Sequence, residues 1–221
     1  MNMALDISTQ AARQALIERC AGISTATWSD ALDDLGLAGV ISGLPMRSGT
    51  GRRCGFAVTV RGEVGKLGSH SLAEFGQAEM VAAAGPTQVL VVDAGGAEVS
   101  AMGGIVALSA HLRGIEAVVI DGACRDIDDI RTAGLWVASR HVTPRSGKRR
   151  TRLGHIGEPL DIGDVRICAN DLVIGDSNGL VVVPFDRLED MLAIAERVNA
   201  SDRQLEGQVA AGRSLLDAAA P

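Results

Sequence analysis

An α/β fold with a buried, largely parallel sheet is predicted by three features of this 221-residue chain. Two short, wholly apolar runs, 88–93 and 117–121, each end in an acid, and a third strand-like run covers 135–139. Helix-compatible segments, 99–112 and 124–132, separate them, an alternation that gives parallel strands covered on both faces. The pattern then changes. Runs 165–168, 172–174 and 180–183 are short strands with tight turns at Asn170-Asp171 and Ser177-Asn178-Gly179, as in antiparallel or barrel-like β structure.

The remaining elements fit around that frame. Segment 8–20 reads as a first helix with Ala12, Leu16 and Ile17 facing inward, and 27–35 as a second, ended near Gly36. Pro45, Gly49, Gly51 and Gly55 make 44–55 a loop, with the glycines as turn residues, before the alternating strand 56–61. Segment 71–84 is helical by composition and stopped by Gly85-Pro86. A Gly95-Gly96 turn follows the first apolar run, and Gly114 breaks the helix before the second. Asp186 with Glu189 resembles a capping box opening a last helix that runs to about Gly212. No repeat or linker interrupts the chain, so 1–221 is expected to form one domain, with N-terminal helices 1–36, core 37–185 and C-terminal helix 186–221.

Composition narrows the function classes. The chain is 47% hydrophobic with two Trp, three Phe and no Tyr, so the core must be aliphatic and disorder is excluded. Net charge is −6, and stacking rings are scarce, which argues against nucleic acid and anionic membranes as partners. No apolar run reaches membrane-spanning length, and 1–19 lacks a signal-type stretch. Cys20, Cys54, Cys124 and Cys168 are widely spaced, and free thiols in a reducing cytoplasm are expected.

Chemistry concentrates just beyond the second apolar run, in Asp121-Gly122-Ala123-Cys124-Arg125-Asp126. Ligands commonly bind there in α/β sheets. Arg125 offers a planar fork for a carboxylate or 2-oxo acid, and Asp126 a hard oxygen for Mg²⁺ or Mn²⁺. The same residues also fit an ordinary helix cap with a surface arginine. Gly103-Gly104-Ile105-Val106 stands near a helix start, where exposed amides could hold an anion or glycines could permit close helix packing. The basic cluster Arg145, Lys148, Arg149, Arg150 and Arg152 reads as a solvated loop, a subunit contact or a guide for an anionic substrate. His70, His111, His141 and His155 lack metal-ligand spacing, and Ser109 lacks a nucleophile-elbow setting.

Residues 93–126, with Gly103-Gly104, Gly114, Val118-Val-Ile-Asp-Gly122 and Arg125-Asp126, resemble the RraA-like family. So does the tail Gly163-Asp164 followed by Leu172-Val-Ile-Gly175-Asp176-Ser-Asn-Gly-Leu-Val-Val-Val-Pro184. The likeness spans roughly 25–212. It implies a swivelling β/β/α domain with helices around a central sheet or barrel-like core, assembled as a homotrimer or a hexamer. The family contains ribonuclease regulators, which bind a partner without turnover, and class II pyruvate aldolases, which cleave 4-hydroxy-4-methyl-2-oxoglutarate and decarboxylate oxaloacetate. For the aldolase branch the resemblance implies that Arg125 binds the pyruvoyl unit and that Asp126 holds a divalent metal, Mg²⁺ or Mn²⁺, largely through water. Backbone amides from Gly103 to Val106 would receive the carboxylate of a small anionic 2-oxo acid. An acid from a neighbouring subunit's last helix, Asp202 here with Glu206 one turn away, would help order the metal shell. The chain departs from the aldolases at Gly104, where they often carry an acid.

Overall fold

A computed structural model describes residues 7–219; the first six and last two residues of the expected domain lie outside the described residues. In chain order the elements are α1 (Gln10–Ala21), α2 (Thr25–Asp34), β1 (Val40–Ile41), β2 (Met46–Ser48), β3 (Arg53–Val64), α3 (Gln77–Ala82), β4 (Gln88–Asp93), β5 (Ser100–Met102), α4 (Gly104–Leu112), β6 (Ala117–Cys124), α5 (Ile127–Ala133) and β7 (Trp136–Val142). Then come β8 (Thr151–Ile156), β9 (Leu160–Ile162), β10 (Val165–Ile167), β11 (Leu172–Gly175), β12 (Leu180–Val183), α6 (Leu188–Ala210) and α7 (Leu215–Ala218). Among the described residues no helix is long and apolar enough to cross a membrane.

The main sheet runs β1-β12-β11-β3-β4-β6-β7-β2, with β5 on β6 and β8 on β3. Strands β3, β4, β6 and β7 are parallel, as the alternation of apolar runs and helices predicts. The β1, β11 and β12 side is antiparallel, as the short tail strands predict, and β9–β10 form a separate antiparallel hairpin. Side chains alternate across each strand. Leu90, Val92, Val118 and Ile120 therefore meet Met80, Ala107, Ala110 and Ile130 from α3, α4 and α5. Val89, Val91, Ala117 and Val119 face the other way, onto Trp136 and the hairpin residues Leu160, Ile162, Val165 and Ile167. A third cluster packs Leu16, Ile17, Trp28, Leu32, Leu188, Met191 and Leu192 from α1, α2 and α6 against Leu172 and Ile174. These contacts are almost all aliphatic, as the composition requires.

Several sequence expectations are corrected. Segment 99–112 is not one helix: Ser100–Met102 joins the sheet beside β6, and the helix starts only at Gly104. The second helix-compatible segment starts late as well, because β6 continues to Cys124 and α5 begins at Ile127. The stretch 44–55 holds β2 and the start of β3, so Gly55 is a strand residue paired with Val173, not a turn. Segment 71–84 contains only a single 3₁₀ turn and the six-residue α3. Part of the basic cluster is strand, since β8 pairs antiparallel with β3. The capping box is absent: Arg187 occupies the N-cap of α6 and no side chain caps it.

Asp176 ties the N-terminus of α2 to the turn between β11 and β12. Its carboxylate accepts from Thr25 N and Oγ1, from Asn178 N and from Arg52 Nε. Burial alone would raise its pKa, but these donors outweigh burial and hold it below the ordinary aspartate value. A depressed folded-state pKa contributes stability above the unfolded value, about 3.9, that is lost as pH falls through the folded value. Asp176→Asn should lower unfolding free energy by about 1–3 kcal/mol at neutral pH. In urea titrations run from pH 7 downward, the gap from wild type should shrink below about pH 4.

Candidate active site

The site is built where two segments of chain leave the sheet together. Ser100 and Met102 of β5 lie beside Ala123 and Cys124 of β6. One residue on, Arg125 N donates to Met102 O at 3.0 Å. Both segments then turn into helices, with Gly103 at the N-cap of α4 and Asp126 at the N-cap of α5. Gly103, Gly104, Ile105, Val106, Arg125 and Asp126 are thus brought to one place by a single strand pairing.

The first turn of a helix leaves its amides without intrahelical acceptors. In α4 the Gly104 N–H donates to Asp126 Oδ2 at 3.2 Å, and the amides of Ile105 and Val106 belong to the same turn. Ile105 is 87% exposed and Val106 half-buried, whereas Gly103 and Gly104 are buried. Arg125 Nε lies 3.5 Å from the same Asp126 oxygen, and the two side chains are 33% and 41% exposed. Each remains open to a ligand.

Asp126 adopts φ 55° and ψ 46°, the left-handed region. Such a conformation costs of order 1–3 kcal/mol, at the low end for aspartate. It makes no side-chain capping bond to α5 and turns its carboxylate to α4 instead. The ordinary-cap reading therefore accounts for its position and not for its contacts.

Close approach explains both glycines. A β-carbon on Gly103 would stand 2.5 Å from Asp126 Oδ2 and 3.2 Å from Arg125 Nε. One on Gly104 would stand 2.5 Å from Asp129 Cβ and 3.1 Å from Asp129 Oδ2. Sequence reasoning missed Asp129. Its i,i+3 spacing from Asp126, which sets two side chains on one helix face, was the available signal.

The surroundings divide the other candidates. Asp93 and Asp121, the acids that end the apolar runs, point to the hairpin side and pair with Arg61 at 2.9 Å and Arg140 at 2.5 Å. Cys124 is buried beside Ser139 Oγ, and burial pushes its thiol pKa up, so it is no nucleophile. Arg152 is held bidentately by Glu63, and Arg150 donates to Ser146 O. Arg145, Lys148 and Arg149 are exposed on a loop whose Arg145 carbonyl accepts from Ser100 N, which pins it to β5. Asp202 is not brought to Arg125 by any contact within the chain. It is exposed on the outer half of α6, whose buried residues, Leu188, Met191, Leu192 and Ala195, all lie in the inner half.

Among the described residues no group of three or more His, Cys, Asp or Glu converges to cage a metal. Asp126 and Asp129 are hard oxygen donors at the rim of one open turn. That donor set fits a cation such as Mg²⁺, which is bound by one or two carboxylates and keeps most of its water.

The Aldolase/RraA family, described as RraA-like, matches residues 25–182. The chain belongs to the RraA-like family. A protein of Halalkalibacterium halodurans named putative 4-hydroxy-4-methyl-2-oxoglutarate aldolase is 34% identical over 139 residues, 61% of this chain and 66% of its own length. The chain spans less than two thirds of the length of the curated relatives it matches, 61% and 66% in two cases. Among solved structures, an uncharacterized protein of Pseudomonas syringae superposes with a TM-score of 0.83 at 29% identity, covering 93% of this chain and 96% of that one. Streptomyces coelicolor RraAS2, an unusual member of the RNase ES inhibitor RraA protein family, shares the fold with a TM-score of 0.74 at 24% identity, covering 86% of this chain and 96% of that one. The RraA-like α/β fold with a central mixed sheet is therefore established, as the motifs imply.

The two glycines should respond differently to alanine. In Gly103→Ala the obstacle is the far end of a side chain, so unfolding stability should stay within about 1 kcal/mol of wild type while Asp126 is displaced from Gly104. In Gly104→Ala the obstacle is a β-carbon fixed to α5, so overpacking should cost about 1–3 kcal/mol. Urea unfolding of both variants checks the contrast.

Proposed function

We propose that this chain is a divalent-cation-dependent carbon–carbon lyase acting on a small anionic 2-oxo acid. It would cleave 4-hydroxy-4-methyl-2-oxoglutarate by retro-aldol reaction or decarboxylate oxaloacetate. The observation that carries this reading is the closeness of the Arg125 guanidinium to the first turn of α4 at Gly103. One cationic fork and a set of backbone donors converge there, the two groups a 2-oxo acid needs.

Both reactions pass through the same charge. Breaking the C3–C4 bond of either substrate leaves its electron pair on a pyruvate enolate; the other product is CO₂, or a second pyruvate as the C4 hydroxyl gives its proton to water. Protonation of the enolate then gives pyruvate. Arg125, held beside Asp126, supplies fixed positive charge where the enolate oxygen develops. The amides of Ile105 and Val106 receive the carboxylate and set the plane of the 2-oxo group. Asp126 would hold Mg²⁺ or Mn²⁺, which when bound supplies Lewis-acid stabilisation to the keto and carboxylate oxygens. Exposed Arg145, Lys148 and Arg149, on the loop pinned to β5, would draw the anion in. Asp202 would enter from a neighbouring subunit of a trimer or hexamer.

The direct test is pyruvate formation from oxaloacetate and from 4-hydroxy-4-methyl-2-oxoglutarate with Mg²⁺ or Mn²⁺, with and without EDTA. EDTA-sensitive pyruvate above background is expected. Arg125→Ala should lower its rate about 10²-fold or more. Activity retained in that variant would remove the assignment, and no EDTA-sensitive pyruvate from either substrate would favour a non-catalytic regulator. Light scattering coupled to size exclusion should give a trimer or hexamer, and a monomer would contradict a site shared between subunits.

A further inference from the structure

Asp129 stands beside the first turn of α4 and takes no part in the proposed chemistry. Asp129 lies in the first turn of α5 with its Oδ2 3.1 Å, and its Cβ 2.5 Å, from where a β-carbon on Gly104 would stand. Gly104 also donates its amide to Asp126 Oδ2 at 3.2 Å. Two carboxylates, three residues apart in sequence, thus adjoin a single residue of the first turn of α4. Asp128 between them is engaged elsewhere, 3.3 Å from Arg131. Asp129 has no ion pair or hydrogen bond among the described residues, and it lines an open groove of about 310 Å³ with Gly104, Ile105, Leu108, Thr132 and Ala133.

The charges do not balance for an anionic ligand alone. Arg125 offsets Asp126, and Asp129 is then a free negative charge beside the turn that must receive a carboxylate. Like charges at that range repel in an open site unless a cation intervenes. A helix N-terminus is served by any nearby acid, and Asp128 already supplies one. The distinguishing property of Asp129 is its position over Gly104.

We infer that Asp129 is a positioning residue for the cation held by Asp126, acting through water beside Gly104. The inference rests on the lyase reading. It also gives Gly104 a purpose, since any side chain there would displace the Asp129 carboxylate.

The test uses the full chain and Mn²⁺ alone, with free Mn²⁺ read by electron paramagnetic resonance and oxaloacetate decarboxylation as the second readout. Asp129→Asn should weaken Mn²⁺ binding about 10-fold, within the 10- to 100-fold range for outer-shell partners. Asp126→Asn should weaken it at least as much, and Asp128→Asn should leave it unchanged. Relocating the carboxylate supplies a positive control. Asp129→Gly should lose affinity and activity, and the double variant Gly104→Asp with Asp129→Gly should regain most of both, since removing the 129 β-carbon frees the space that residue 104 needs. Thermal unfolding confirms that each variant is folded. Wild-type Mn²⁺ affinity in Asp129→Asn alongside loss in Asp126→Asn would overturn this inference and leave the lyase reading standing. Equal losses in Asp128→Asn and Asp129→Asn would overturn it as well, because helix-terminal charge would then be the cause. Unchanged affinity in both Asp126→Asn and Asp129→Asn would overturn the metal assignment with it.

Discussion

The short pairing of β5 with the end of β6 is the constraint on which the site depends. It aligns Met102 with Cys124, and everything after those residues follows from how little room remains between the two chains. Gly103 and Gly104 must lack side chains because Arg125, Asp126 and Asp129 already occupy that space. Asp126 must turn left-handed to start α5 while its carboxylate reaches the Gly104 amide. A strained residue held by a neighbouring helix start, rather than by its own, shows that the surrounding structure determines its place.

The sheet separates structural charge from the candidate site. Period-two alternation sends Asp93 and Asp121 to the face covered by β9 and β10, where Arg61 and Arg140 neutralise them. Partly buried ion pairs of this kind add little net stability, but breaking one would leave an uncompensated charge. The opposite face, carrying Leu90, Val92, Val118 and Ile120, holds α4 and α5 in place through apolar contact. The residues proposed for chemistry therefore stand on the ends of well-packed helices, a few positions beyond the strands, where their geometry is fixed by a dry core and their side chains remain wet.

What could be read in the sequence follows from which forces act locally. The apolar runs of β4 and β6 announce burial on both faces by themselves, and Arg125-Asp126 is legible as the first charged pair beyond the second of them. Ser100-Ala101-Met102 is too short and too small-sided to announce a strand, and its place in the sheet comes from β6 and from Gln77 Nε2, which donates to Ala101 O at 2.6 Å. Strand β8 is hidden by the arginines around it, because Arg152 is satisfied by Glu63, a residue 89 positions away. Asp129 is the same kind of case. In Asp126-Ile-Asp-Asp129 only the i,i+3 spacing sets the last acid apart from the one before it, and that spacing gains meaning when Gly104 is laid against it.

The outer half of α6 bears on the choice between Asp202 and Glu206, which spacing alone leaves open. At 1.5 Å per residue the 23-residue helix is about 34 Å long, and its inner half supplies all of its buried residues. Beyond Ala195 the larger apolar residues, Val198, Leu205 and Val209, recur at helical spacing along one side. At about 100° per residue they span about 40°; Asp202 stands about 20° beyond Val209, at the edge of that stripe, and Glu206 about 60° beyond it, clear of the stripe. A carboxylate at the edge of an apolar stripe comes within reach of the surface that covers the stripe, and needs a cation or hydrogen-bond donors there. A carboxylate clear of the stripe makes no such demand. If the outer half of α6 packs on a neighbouring subunit, Asp202 is the acid it carries into the contact.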